Sequence, residues 1–180
     1  MKHSFLTKLS SLALALILCL CSLSALTACT KKETYRNDIT AQYALTTLVA
    51  SFPSGNGHIA VDSDFINASA FGEDYRKLID ACEDWSIMIA DDQNKNIDQI
   101  GVFHVRDASD VKTCRKIIEE YVESQKLYLS DLLDSYNPGE KPKLDNAKVT
   151  VYGNYILYTI LTSDDTKAVQ KGLEDMLKAE

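Results

Sequence analysis

Basic charge is scarce in this sequence, and so are glycine, proline and histidine. Nineteen Lys and Arg stand against 26 Asp and Glu, for a formal net charge of −7. A general nucleic-acid binder needs basic density to displace counterions from phosphates, so nucleic acid is not an expected partner. Seven Gly and three Pro in 180 residues exclude a collagen-like or linker-dominated chain. Beyond the first few residues the only histidines are His58 and His104, with no His-x-x-x-His pair, and the cysteines lack metal-ligand spacing. A zinc site is therefore not expected, and no cofactor motif stands out. No Gly-x-Ser-x-Gly elbow is present, and Gly55-Asn56-Gly57 is too short for a phosphate loop.

Long apolar runs are missing too, except at the start. Met1 to Lys8 is short and basic, Leu12 to Leu20 is apolar and uncharged, and small residues lead into Leu26-Thr27-Ala28-Cys29. A basic start, an apolar middle and a small-residue cleavage point make a secretory signal. Leu-Thr-Ala-Cys resembles the lipobox of bacterial lipoproteins, in which the chain is cut before a diacylated Cys. The thiol is required because it becomes the thioether to the lipid, and two acyl chains give stable anchoring. The expectation is a signal peptide over 1–28, a lipidated tether over 29–37 and one domain over 38–180. The partner is then a membrane, held through Cys29 at its extracytoplasmic face. The polar tether of about eight residues reaches ~25 Å. Residues 1–28 contain Lys2 and Lys8 but no acid, so the mature part is more acidic still and has no polybasic patch to hold it at an anionic surface.

Hydrophobic residues at 46% and charged ones at 25% suit a folded domain. Asp38 is placed to cap a helix bearing Ile39, Tyr43, Leu48 and Phe52, which the turn Pro53–Gly57 ends. His58 to Phe71 reads as one short strand and a loop, and Glu73 to Cys82 as a short helix. Trp85–Ala90 and Gln99–Arg106 pattern as a hairpin. A long helix then runs to Tyr136 with Val111, Cys114, Ile118, Tyr121, Tyr128, Leu132 and Tyr136 along one stripe. Lys148–Tyr152 and Tyr155–Leu161 form a second hairpin about Gly153-Asn154, followed by a helix with Val169, Leu173, Met176 and Leu177 buried. Hairpin–helix thus occurs twice. The expected class is α+β, a two-layer sandwich with a mostly antiparallel sheet and helices on one face.

This arrangement resembles a family of small lipoproteins from Gram-positive anaerobes, catalogued as a domain of unknown function. The likeness lies between Ile97 and Leu177, in Asp98-Gln-Ile-Gly-Val-Phe, Glu123-Ser-Gln-Lys126, Tyr136-Asn-Pro138, Asn146-Ala-Lys-Val, Gly153-Asn-Tyr155 and the closing helix. The resemblance implies a lipoprotein with an α+β domain. It implies no activity and supplies no catalytic residues.

Several side chains are candidates for chemistry. Cys82 and Cys114 flank the first hairpin at ends that meet in an antiparallel pair, so a disulfide is one reading and two buried thiols the other. Asp92, Asn94, Asn96 and Asp98 begin like a calcium loop, but Ile97 stands where such a loop needs Gly and Phe103 where it needs Glu. His104 could pair with a nearby Cys, though its period-two neighbours Ile100 and Val102 suggest a sheet position. Tyr152 and Tyr155 pair across the second hairpin. With Lys148, Thr150 and Thr159 on the same face, an exposed pair would be a platform for a peptide or glycan. The alternative is a cross-strand aromatic pair that only stabilises the hairpin. A non-catalytic binding or accessory protein is the leading expectation. A cell-envelope hydrolase and a structural subunit of a membrane complex are the alternatives.

Overall fold

The computed structural model describes residues 34–178; the segment expected to be a signal peptide and Cys29 lie outside them. Thr40, rather than the expected Asp38, caps the first helix, its Oγ1 accepting from the Tyr43 amide at 3.3 Å. Asp38 instead pairs with Arg36 at 2.7 Å. That helix, α1 (Ala41–Val49), is followed by β1 (His58–Ala60), the short α2 (Ala68–Phe71) and α3 (Tyr75–Ala81). The first hairpin comprises β2 (Cys82–Ala90) and β3 (Gln99–Val105), and leads into α4 (Val111–Tyr136). After the short α5 (Lys141–Asp145) come β4 (Lys148–Tyr152), β5 (Tyr155–Ile160) and α6 (Ser163–Leu177).

The five strands form one antiparallel sheet in the order β1-β2-β3-β5-β4. Register follows the hairpin chemistry: Tyr152 faces Tyr155 across Gly153-Asn154. Gly153 takes φ +58 while Asn154 stays at negative φ, the pattern of a type II′ turn. At Gly101 a side chain would collide with the Tyr158 ring, 2.2 Å from where its Cβ would stand, so glycine lets that ring lie flat on β3.

The α+β class and the antiparallel sheet match the sequence expectation. The helices, however, divide between both faces of the sheet instead of covering one. On the first face α1 and α6 pack Leu45, Leu48, Val169, Leu173 and Leu177 against Ile100, Val102, Tyr155 and Leu157. On the second, α2, α3 and α4 pack Phe71, Leu78, Ile117, Ile118 and Tyr121 against Ile87, Phe103, Ile156 and Tyr158. The cause is visible in β3 and β5, which are near-continuous apolar runs buried along almost their whole length. Strands of that kind need cover on both sides.

The two ends of the sheet differ. At one end Tyr35 packs edge-on to Tyr152, the Asn154 carbonyl accepts from the Val105 amide, and α4 begins. At the other end lie the loop between β2 and β3, the end of β5 and the end of α4. A small cluster of Leu133, Leu144 and Ile160 joins them there.

Candidate functional site

Two features meet at that second end: a buried polar network and a groove beside the last turns of α4. The network centres on Asp98, whose side chain is inaccessible to solvent. Its Oδ1 lies 2.7 Å from Lys143 Nζ, and its Oδ2 accepts from Asn56 Nδ2 at 2.8 Å and Asn96 Nδ2 at 3.0 Å. His58 Nε2 stands 3.5 Å off, and its Nδ1 is 2.9 Å from the Asn56 carbonyl. Lys143 also donates to Glu140 Oε2 at 2.7 Å and to Asn96 Oδ1 at 2.9 Å, while Glu140 accepts from the Ile97 amide at 3.0 Å. Three separate chain segments are thereby joined: the turn after α1, the loop between β2 and β3, and the connection from α4 to α5.

Burial alone would raise the Asp98 carboxyl. The neighbouring His58, the Lys143 ammonium and the hydrogen bonds from Asn56 and Asn96 outweigh it and hold Asp98 at about 2. Burial would likewise depress the Lys143 ammonium, but Asp98 and Glu140 raise it above its ordinary value. Both groups are fixed in their charged forms at neutral pH. Asp98 is thus a structural anion, far from the range in which a carboxylate works as a general base.

The groove, of about 330 Å³, is lined by Phe65, Ile89, Ile97, Tyr121, Tyr128 and Leu129 with the amides of Gln93, Asn96, Gln99 and Gln125 and the edge of Asp98. Its floor is rigid. Tyr121 stacks on Phe71 at 4.1 Å, meets Tyr158 edge-on at 5.5 Å and donates to Gln99 Oε1 at 2.6 Å. Amide and aromatic side chains thus dominate its lining.

From the rim of the groove at Tyr128 the same helix face continues. Tyr128, Leu132 and Tyr136 are 75%, 47% and 82% exposed. The expected single stripe on α4 is therefore corrected: Cys114, Ile118 and Tyr121 are buried, but these last three are not. At ~1.5 Å per residue the 26-residue helix runs ~39 Å and outreaches strands of seven and six residues, ~20 Å long. Beyond the sheet the helix is held by Leu133 and Leu129 against Leu144 and Ile160, about 100° round from Leu132 and Tyr128. Of the six large hydrophobic side chains left exposed among the described residues, four lie in this stretch: Leu127, Tyr128, Leu132 and Tyr136. Such clustering is what marks an interaction surface; scattered exposed leucines are ordinary.

The residues singled out from sequence fall elsewhere. Tyr152 and Tyr155 do pair across the hairpin, but both are buried, so the exposed aromatic platform is corrected to a packing role. α1 and α6 cover the face expected to be wet. The Tyr155 hydroxyl donates to the Ile39 carbonyl at 2.7 Å, and that of Tyr152 to the Gln170 carbonyl at 3.2 Å. Burial raises the Tyr152 phenol to about 12. His104 stacks on Tyr155 at 4.3 Å with its Nε2 2.9 Å from Asn37 Oδ1. It lies on the first face of the sheet, whereas Cys82 and Cys114 lie on the second, so no Cys–His pair forms. The two cysteines are buried free thiols.

In the suspected calcium loop, Asp92 binds Lys95 and the Asn94 amide, and Asn96 and Asp98 turn inward to Lys143. Among the described residues no cluster of His, Cys, Asp and Glu converges in a way that would hold a metal ion. Cys29 lies outside the described residues. Sequence reasoning missed the Asp98–Lys143 pair, whose members are 45 positions apart and pass for surface charges. One available signal was Lys143 held between Pro142 and Leu144 shortly before a strand.

A family model described as a domain of unknown function (DUF4358) matches residues 73–161. That span takes in β2 to β5, α3, α4 and α5, and leaves out α1 and α6, the two helices that cover the first face. No curated protein and no solved structure matches the chain.

Proposed function

We propose that this chain is an extracytoplasmic lipoprotein, anchored through Cys29, whose domain is a non-catalytic binding or accessory module. It would meet a protein partner through the far half of α4. The observation that carries the reading is the cluster Leu127, Tyr128, Leu132 and Tyr136, exposed on a helix whose other side is pinned by Leu133 and the Asp98–Lys143 network. A surface held rigid loses little entropy on binding. The adjoining groove adds side-chain amides for hydrogen bonding to an aromatic lining, which suits recognition.

The anchor rests on the sequence around Leu26-Thr27-Ala28-Cys29. No helix of the described residues is long and apolar enough to cross a membrane. A structural subunit of a membrane complex is the second reading, favoured by the same uncovered stripe; a stable neighbour in the membrane would then be the partner.

Mass spectrometry of the membrane-associated protein tests the anchor. An N-terminus at Cys29 carrying a diacylglycerol-sized addition, absent from Cys29→Ala, is expected; an uncleaved Met1 start without lipid would overturn it. Photo-crosslinking in intact cells tests the surface. A reactive residue at position 132 is expected to give a discrete adduct and one at position 171, exposed on α6, none. Equal adducts at both, or none at 132, would count against a binding face on α4.

A further inference from the structure

We propose that the open edge of β4 is a docking site for an extended peptide segment that carries a lysine or arginine. The segment joins the sheet antiparallel to β4 and seats its basic side chain against Glu119 and Glu123 of α4. In the order β1-β2-β3-β5-β4 the last strand has a neighbour on one side only. Its register pairs Lys148 with Thr159, Thr150 with Leu157 and Tyr152 with Tyr155. The two-residue turn makes Tyr152 and Tyr155 a hydrogen-bonded pair, and such pairs alternate along an antiparallel ladder. Lys148, Thr150 and Tyr152 therefore direct their backbone groups to β5, while the N–H and C=O of Val149 and Val151 point outward. Among the described residues, none of these outward groups has a hydrogen-bond partner.

Open edges are normally blunted by shortness, proline, a bulge or charge. The opposite edge, β1, is three residues long. β4 has five residues and no proline, keeps its register with β5 unbroken and carries one charge, Lys148 at its start. It is also held in place from α6, so little order has to be gained on binding. Gln170 Nε2 donates to Thr150 Oγ1 at 2.8 Å, and the Tyr152 hydroxyl donates to the Gln170 carbonyl at 3.2 Å.

The character of the partner follows from the second face. There a cleft of about 300 Å³ opens between α4 and the start of β4, lined by Val122, Ala147 and Val149 with Glu119 and Glu123. Directly paired residues share a face of the sheet, so the incoming residue opposite Val149 enters this cleft. A Lys or Arg fits: its aliphatic stem lies along the valines and its charged head reaches the carboxylates. Each Glu engages its helix neighbour, Arg115 or Lys126, through Oε1, which leaves Oε2 to accept. The residue opposite Val151 meets that half-buried valine and is apolar, so the segment runs apolar-x-basic. The net charge of −7 favours the same partner. A second copy does not, since two β4 strands paired about a two-fold axis would bring both sets of Glu119 and Glu123 to one seam. The edge is separate from the stripe of Tyr128, Leu132 and Tyr136, so its test leaves that surface untouched.

The test is hydrogen exchange at residue resolution on the full-length protein, with the blocked peptide Thr-Thr-Val-Thr-Lys-Thr-Thr as probe. Without it the amides of Val149 and Val151 should exchange freely while that of Thr150 is protected. Millimolar peptide should slow Val149 and Val151 by about tenfold or more and leave β1 unchanged. A peptide with Glu in place of Lys should bind about tenfold more weakly, as should the original peptide on a Glu119→Gln, Glu123→Gln double variant. Val151→Pro, which removes an outward donor and leaves the ladder with β5 intact, should abolish the protection at Val149. No slowing at β4 in millimolar probe, or equal binding of the Glu-bearing peptide, would overturn the proposal. Protection that grows with protein concentration alone would assign the edge to a second copy and overturn it too. The wild-type measurements decide the matter even where the proline variant folds poorly.

Discussion

α4 and α6 each follow a hairpin, and each carries an apolar stripe, but only α6 packs all of it against the core. The 15 residues of α6 run ~22 Å, about the length of the strands beneath, and Val169, Leu173 and Leu177 are all buried. The 26 residues of α4 run past the sheet, and the stripe continues where nothing lies opposite it. Packing explains the first helix completely. It explains only half of α4, where Tyr128, Leu132 and Tyr136 take no part in the core. The second half of α4 does not hang free: Leu133 is buried, and Asn137 Nδ2 donates to the Lys95 carbonyl at 3.1 Å.

The contrast can be broken at the network that holds the far end. Asp98→Ala would leave the Lys143 ammonium buried beside Glu140 alone, and removing one member of a buried ion pair costs about 4 kcal/mol. Urea unfolding would measure it, and amide exchange should show the last turns of α4 losing protection before α6 does. Next comes Leu173→Ala on α6, expected to cost about 3 kcal/mol through lost burial and the cavity left behind. The same change at Leu132 on α4 should cost under ~0.5 kcal/mol, as at an ordinary surface position.

Acid sharpens the comparison further. Asp98 is held at about 2 in the folded state, below the ~3.9 of an unfolded aspartate. Its contribution, about 2 to 3 kcal/mol, is therefore complete above the unfolded value and is lost as pH falls through the folded one. The acid-unfolding curve of Asp98→Asn should accordingly be shallower between about pH 4 and pH 2 than that of the wild type.

Much of this was legible in the residues. Both hairpins, the long helix and the closing helix follow from periodicity, and Gly153-Asn154 fixes the tight turn. Tyr152 and Tyr155 were paired correctly but placed on the wrong side of the boundary between core and water. Threonine and lysine neighbours look wet locally, and only the tertiary packing of α1 and α6 buries Thr159 and Tyr155. The run Tyr155-Ile-Leu-Tyr-Thr-Ile already signals a strand covered on both faces, which an alternating pattern would not. The uncovered half of α4 could not be read from its stripe, because helical spacing reports which residues share a face and not how far the sheet beneath extends. Asp98 was hidden for the opposite reason: in a loop rich in Asp and Asn it looks like turn chemistry, and its partner Lys143 is brought in by the fold.

The smallest expected effect is the most telling. Replacing Tyr128, Leu132 and Tyr136 together by Gln keeps the helix propensity and removes the exposed stripe. In urea unfolding of this triple variant beside the wild type, the stabilities should agree within about 0.5 kcal/mol, as for residues that add little to the fold. A loss of about 2 kcal/mol or more would contradict a surface reserved for binding and make the far half of α4 part of the core.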